Sequence, residues 1–467
     1  MKDRTFASTN SRYFGDRAFY RRVAAIVLPM IIQNTLTNIV SLLDNIMVGR
    51  VGTLQMSAVA IVNQILFVFY LCVFGAVAGA GIYTTQFFGR KDDDGVRYSV
   101  RFKLFCVALL TAGTLILLLT AGRSLIGTYI AKETSAADAS ATMQYAMSYM
   151  MIMLTGLVPF SLTQVYAGTM RESGHTGTPM AASMAAMAIN FVLNLLLIFG
   201  LLGFPRLGVK GAAIATVVSR FAEFAIVAFR SHRDKETFTY IRGLYSSLYI
   251  PRNLFISILV RALPLFLNEF LWSFGQARLL QCYSVRGLNV IAAMNIANTI
   301  SQIFMSFFLS MGNAAGILTD QQLGAGEFDT AKQTADRMIT LSFMVSIATG
   351  LILFLISPVF PAVYNTEPEV RRLASKCLKV VAVTAPLAAL ANAMYFVIRS
   401  GGKTFITFLF DSCFMWVATV PAAYVLTHYT DMPAVLIYLC VMMLDLIKCV
   451  IGLVMIKKGI WVKNIVA

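Results

Sequence analysis

Apolar residues run through this chain in long unbroken stretches at 23–47, 56–83, 102–121, 143–169, 178–202 and 209–229, and again at 255–283, 290–318, 339–363, 378–398, 404–427 and 432–455. A helix needs about 20 such residues to cross roughly 30 Å of hydrocarbon, so each stretch predicts one membrane-spanning helix. Polar residues gather in the connectors. Residues 89–103 are the most charged connector of the first half, 324–337 are their counterpart in the second, and both read as short amphipathic segments. Prolines stand inside the stretches at Pro29, Pro159, Pro264, Pro386 and Pro421, where each predicts a kink, static or hinged.

Shifted by 235 residues, the chain lies over itself. AGIYTTQFFG at 80–89 meets AGILTDQQLG at 315–324, and the same offset aligns Leu28-Pro29 with Leu263-Pro264, Gly52 with Gly287, Asn63 with Asn298 and Asp94 with Asp329. Arg171, Gly174 and Thr176 meet Arg399, Gly402 and Thr404 at an offset of 228. Six spans per copy return the chain to the side where it began, so the copies share one orientation about an axis along the membrane normal. Two similar bundles of this kind can rock about a central site. The expected architecture is an all-α integral membrane protein, with twelve transmembrane helices in two six-helix lobes related by a pseudo-two-fold axis along the membrane normal. Residues 1–22 would form an amino-terminal segment, 23–230 the first lobe, 231–252 a basic and aromatic linker along the headgroups, and 253–467 the second lobe with a short tail.

Composition agrees and adds direction. The chain is 58% hydrophobic and 13% charged, with a mean hydropathy of +0.74, outside the range of soluble domains. Most of its 38 Lys and Arg fall in the tails and the loops on the amino-terminal side, which places both termini in the cytoplasm. An anionic leaflet therefore accounts for the net charge of +16, and nucleic acid is not needed as a partner. No signal peptide is expected, because residues 1–22 lack an apolar core. The seven cysteines stand singly in apolar spans and read as packing residues. His175, His232 and His428 form no ligand set, and no P-loop, GxSxG or HExxH motif occurs. ATP-driven pumping and zinc chemistry lose support, no cofactor is expected, and the energy must come from a gradient.

A carboxylate inside the bilayer costs roughly 2.5–3.5 kcal/mol on insertion scales, so Asp44, Glu269 and Asp411 are candidate functional groups. Asp44 ends a polar stripe of Asn34, Thr37, Asn38, Ser41, Asp44 and Asn45 along the first span. Asn190 and Asn194, four apart, share one face of the fifth. A carboxylate with amide oxygens suits a proton or a hard monovalent cation. The same amides could instead simply bond helices together. Glu269 follows Pro264 and precedes Trp272 by nearly a turn, a pairing of carboxylate and ring that could seat an organic cation. Its separation from Arg278, about 13 Å along a straight helix, is too great for an ion pair. Asp411, before Trp416 and Pro421, is either a second cation site or the structural partner of a residue that the sequence does not identify. Arg220 with Glu223, and Asp445 with Lys448, stand three apart and are expected to neutralise each other.

Several longer motifs resemble the multidrug and toxic compound extrusion (MATE) family in its bacterial branch: LLDNIMVGRVG at 42–52, NFVLNLLLIFG at 190–200, LGVKGAAIATVVSR at 207–220 and RSGGKT at 399–404. The resemblance implies two six-helix lobes facing a cleft and export of organic cations or other amphiphiles in exchange for Na⁺ or H⁺. It places an amino-lobe cation site on Asp44, Asn190, Asn194 and Thr216. Asn194 stands where the family carries an acid, which weakens a Na⁺ site and favours H⁺. The acids of the carboxy-lobe site of other branches are not matched. Trp272 takes the position of one of them, and the tenth span contains none.

These readings converge on a secondary antiporter of the bacterial inner membrane, monomeric in the lipid bilayer. It would export small organic, cationic and amphiphilic molecules against H⁺ or Na⁺ by alternating access. Asp44, Asn190, Asn194 and Thr216 would couple the ion, and Asn34, Asn38, Glu269, Trp272 and Asp411 would meet the substrate. A lipid-linked precursor flippase is the nearest alternative, although only Arg278 reads as a buried base in the second lobe. An integral-membrane transferase would have to use Asp92, Asp93 and Asp94, which read as a solvated loop.

Overall fold

A computed structural model describes residues 12–130, 135–364 and 366–467; the side chains of Leu42, Asn45 and Leu288 lie outside that description. The expectations for Asn45 and for residues 1–11 therefore fall outside the described part. Among the described residues the chain is helical, without a strand. The first repeat supplies α1 (Arg17–Gly49), α2 (Thr53–Arg90), α3 (Asp93–Tyr129), α4 (Ala136–Thr155), α5 (Leu157–Glu172), α6 (Gly177–Phe199) and α7 (Val209–Arg233). The second supplies α8 (Arg252–Ser284), α9 (Leu288–Gly324), α10 (Phe328–Ile356), α11 (Pro368–Ser400), α12 (Thr404–Phe408), α13 (Val420–Tyr429), α14 (Ala434–Met443) and α15 (Asp445–Lys457).

Among the described residues, eleven helical segments are long and apolar enough to cross a membrane, counting α12 through α13 and α14 through α15 as one each; α4 with α5 makes the twelfth, bent by 43°. The bend falls at Gly156, three residues before Pro159, whose missing N–H leaves a carbonyl of the preceding turn unpaired. Pro29, Pro264 and Pro386 stand inside continuous helices. The eleventh span is irregular: between α12 and α13 it winds as π-helix over Leu409–Cys413 and Met415–Thr419, a local widening often found where side chains must be re-aimed.

Contacts group the chain into two compact units, Met1–Ile31 with Thr85–Asp92 and Leu267–Ala467, and Ile32–Thr84 with Asp93–Phe266. The division cuts α1 and α8 two residues after Pro29 and Pro264, which are equivalent in the repeat, and not at residues 231–252. In the first unit, Val23, Ile26, Val27 and Met30 of α1 join Met311, Ala314, Leu318, Met338 and Met394 in one core. The ends of α2 and α9 also approach closely there: a Cβ on Gly89 would stand 2.0 Å from the Gln321 carbonyl oxygen, and one on Gly324 2.0 Å from that of Gln86. Gly89 and Gly324, like Gln86 and Gln321, are repeat equivalents, so the two contacts mirror each other and only glycine permits this doubled crossing. Residues 461–466 are tied to the same place. Gln86 donates to the Ser400 carbonyl at 2.9 Å and accepts from the Ile465 N–H at 2.9 Å, while Trp461 is buried.

In the second unit, the first half of α8 packs through Phe255 on Phe102 and Phe105, and through Ala262 on Gly79. The connectors are shorter than the charge pattern implies. Helix runs to Arg90 and resumes at Asp93, and in the counterpart runs to Gly324 and resumes at Phe328. Asp93 and Asp94 sit in the first turn of α3, where the helix dipole favours acids. Arg101 and Lys103 are buried because each has acceptors. Arg101 donates to the carbonyls of Gly243, Leu244 and Tyr249 at 2.9, 2.9 and 3.0 Å, which pins the linker to α3. The linker is correspondingly two-sided, with Phe238, Tyr240 and Leu244 buried and Tyr245, Leu248 and Tyr249 exposed. Burial also pushes the Tyr240 hydroxyl above its ordinary pKa.

Candidate cation-coupling site

Three helices of the second unit build the site. Helical spacing puts Gln33 and Asp44 on one face of α1, Ser183, Asn190 and Asn194 on one face of α6, and Thr216, Arg220 and Glu223 on one face of α7. Asn194, 1% exposed, donates one N–H to Asp44 Oδ1 at 2.6 Å and the other to Asn190 Oδ1 at 3.1 Å. Asn190 Nδ2 reaches Thr216 Oγ1 at 3.4 Å, and the Thr216 hydroxyl donates to the Ala212 carbonyl at 3.0 Å. The four residues assembled from sequence thus meet in one hydrogen-bonded chain that ends on the carboxylate. Asn194 Oδ1 has no partner among the described residues.

Several neighbours were not legible beforehand. Tyr149 of α4 donates to Asn63 Oδ1 of α2 at 3.3 Å, and the Tyr70 and Phe160 rings of α2 and α5 lie 4.5 Å apart. Arg220, one turn after Thr216, stacks over Phe160 at 4.9 Å and pairs with Glu223 at 3.4 Å as its spacing predicts. It also lies within electrostatic reach of Asp44, Tyr70 and Tyr149, so its charge is not spent on Glu223 alone. Glu223 accepts from Ser183, which in turn accepts from Gln33 Nε2 at 2.6 Å. The useful signal was the four-residue step from Thr216 to Arg220 on the face already chosen for the site.

The remaining candidates lie on α1, on α8 and in the eleventh span. Asn34 and Asn38 are half-buried on α1. Asp411, on the first π-helical turn, accepts from Lys448 Nζ at 3.1 Å and from Asn268 Nδ2 at 3.2 Å. Lys448 is 3.9 Å from Asp445, so its nearer partner is Asp411 and not the acid three residues away. Lys448 is thus the structural partner of Asp411 that the sequence did not identify. Asn268 also accepts from the Ser412 N–H at 3.2 Å and its hydroxyl at 2.8 Å, and Trp416 donates to the Leu271 carbonyl at 3.0 Å, which fastens the π-helical turns to α8. Glu269 lies within electrostatic reach of Asp411 and Arg399. Arg278 donates to Gln281 at 2.6 Å, in keeping with its distance from Glu269. Trp272 packs on an apolar core formed with Leu279, Tyr283 and Met294.

Comparison with known proteins follows the repeat. The MatE family model matches residues 29–196 and 264–425. The probable multidrug resistance protein YoeA of Bacillus subtilis is 25% identical over 421 residues, 88% of each chain. The probable multidrug resistance protein NorM of Thermotoga maritima is 23% identical over 96% of this chain and 94% of its own. Among solved structures, an outward-facing conformation of a multidrug resistance MATE family transporter of the MOP superfamily superposes with a TM-score of 0.85 at 20% identity, over 95% of this chain and 97% of that one. A MOP superfamily transporter from Pyrococcus furiosus gives 0.83 at 19% identity, over 95% and 96%.

Proposed function

Because this chain belongs to the MatE family, a family of multi-pass secondary transporters and not of enzymes, we propose that it is an antiporter that exports small organic cations and amphiphiles in exchange for H⁺ or Na⁺. The observation that carries the reading is the chain from Asp44 through Asn194 and Asn190 to Thr216, a carboxylate inside membrane-spanning helices whose neighbours are arranged around it. A buried carboxylate that can exist with and without a bound cation has two charge states. If those states favour different packings of α1, ion binding and substrate release become linked, which is the requirement for coupling.

The likeness to YoeA and NorM, both named as probable multidrug resistance proteins, supports small-molecule export. We place the protein in the bacterial inner membrane as a monomer with both termini cytoplasmic, and its two six-helix lobes at 23–230 and 253–467. Asn34, Asn38, Glu269 and Trp272 are each assigned to contact with the substrate, as the sequence suggested. Asp411 is assigned to the structure of the second lobe, since Lys448 already balances it.

The test is cationic-dye efflux from cells lacking their own major pumps, under separately imposed H⁺ and Na⁺ gradients, with Asp44→Asn compared at matched membrane levels. Gradient-driven efflux that disappears in the variant is the expected result. Undiminished efflux by the variant would remove Asp44 from the mechanism, and no efflux by the wild type would remove the multidrug reading.

A further inference from the structure

After the twelfth span the chain turns back on the bundle. Gly459, left-handed at φ +63°, follows the end of α15 and redirects residues 461–466 onto α2, α9 and the end of α11. Val462 packs against the apolar core of the first unit, and the Trp461 carbonyl lies so close to Gly401 that a Cβ there would stand 1.6 Å from it. Asn464 donates to the Gly324 carbonyl of α9 at 3.3 Å, and Arg90 of α2 donates to the Val466 carbonyl. Gln86 of α2 bonds groups of the second repeat at both ends of its amide. Its Nε2 donates to the carbonyls of Ser400 and Lys463 at 2.9 and 3.4 Å, and its Oε1 accepts from the Ile465 N–H at 2.9 Å. The segment therefore holds one long helix of each repeat, at the crossing where Gly89 meets Gln321 and Gly324 meets Gln86.

The segment that follows the sixth span is placed differently. Residues 234–249 also dock, but on their own repeat: Arg101 of α3 holds three of their carbonyls, and Thr239 donates to Asp93 of α3 at 2.7 Å. Such contacts fasten a connector and leave the two repeats independent. Residues 461–466 instead bind helices of both. They are also built to come away, because they form no regular helix and the indole N–H of Trp461 is buried without a partner among the described residues. A buried donor left unpaired favours the undocked state, in which water satisfies it.

We propose that residues 461–466 are a latch: docked, they bolt α2 to α9 on the face where both helices end, and they must let go before the transporter opens there. In one half of an alternating cycle the two repeats part at this face, and parting breaks the bonds that Gln86 and Arg90 make to the segment. The proposal rests on the antiporter reading above and adds the element that governs access from the side of the termini.

Two measurements on the full chain test it, in a background whose seven cysteines are replaced. In the first, spin labels on Lys91→Cys and Asp329→Cys, just past the ends of α2 and α9, report their separation by double electron–electron resonance in proteoliposomes. Gly401→Ala, whose added methyl collides with the Trp461 carbonyl, and Trp461→Ala should each raise the population of the longer separation about tenfold. Unchanged distance distributions in both variants would overturn the latch. In the second, Arg90→Cys and Val466→Cys are joined by a short bis-methanethiosulfonate, and transport of a monovalent cationic dye is followed before and after reduction. The joined protein should lose about tenfold or more of its transport and regain it on reduction. Full transport by the joined protein would overturn the proposal, even where the Gly401 and Trp461 variants fail to insert. Absence of dye transport by every form would strike the antiporter reading, while the distance measurement would still decide the latch.

Discussion

Asp44 and Asp411 are both carboxylates inside membrane-spanning helices, one in each repeat, and the structure equips them differently. Asp411 is clasped by a lysine at 3.1 Å and an amide at 3.2 Å, on a π-helical turn fastened to α8 by three further hydrogen bonds to Asn268 and Leu271. Asp44 accepts from the Asn194 amide at 2.6 Å, and Arg220, within whose electrostatic reach it lies, pairs with Glu223 at 3.4 Å. A carboxylate whose charge is matched by contact has little reason to take up another cation. One balanced from a distance can change its charge state more readily. The same residue type thus serves structure in one repeat and, on our reading, coupling in the other.

The strongest challenge to this contrast is exchange of the two carboxylates for amides. Asp44→Asn should abolish gradient-driven dye efflux at normal membrane levels, whereas Asp411→Asn should leave efflux substantial and appear in thermal stability; equal losses of efflux would erase the distinction. Next in size is Lys448→Ala, which strands the Asp411 charge and should cost about 3–5 kcal/mol of stability. The double variant Lys448→Met with Asp411→Asn should recover much of that loss in a double-mutant cycle, and additivity of the two changes would deny the pair. Asn268→Ala removes a donor from Asp411 and an acceptor from Ser412, for about 1–3 kcal/mol read as a lower unfolding temperature, with dye specificity unchanged. The smallest effect is expected from Thr216→Val, which deletes the far end of the amino-repeat chain at 3.4 Å and should reduce efflux by a few-fold at most, about the scale of one neutral hydrogen bond.

Much of this was legible before any fold was known. The twelve spans and the duplication follow from apolar length and a fixed offset, the Asp44 stripe and the Asn190–Asn194 face follow from helical spacing, and their grouping with Thr216 is what the resemblance to the MATE family implied. What failed to show were the partnerships that join distant parts of the chain. Lys448 reads as the mate of Asp445 because local spacing is all that a sequence displays, and only the packing of α15 beside the π-helical turn brings it to Asp411, 37 residues away. Arg101 and Lys103 read as part of a hydrated connector because their acceptors, the linker carbonyls and Glu172, lie up to 148 residues away in sequence. Arg220 reads as neutralised because its second acid stands on another helix.

The sequence by itself determined that this chain lives in a membrane, that it was built twice, and which carboxylates had to be explained. Apolar length and repetition are properties of the chain taken one segment at a time, and a bilayer leaves helices as the form those segments take. Tertiary structure alone decided which carboxylate is matched by contact and which from a distance, since burial of a charge is tolerated only through partners, and partners are chosen by packing.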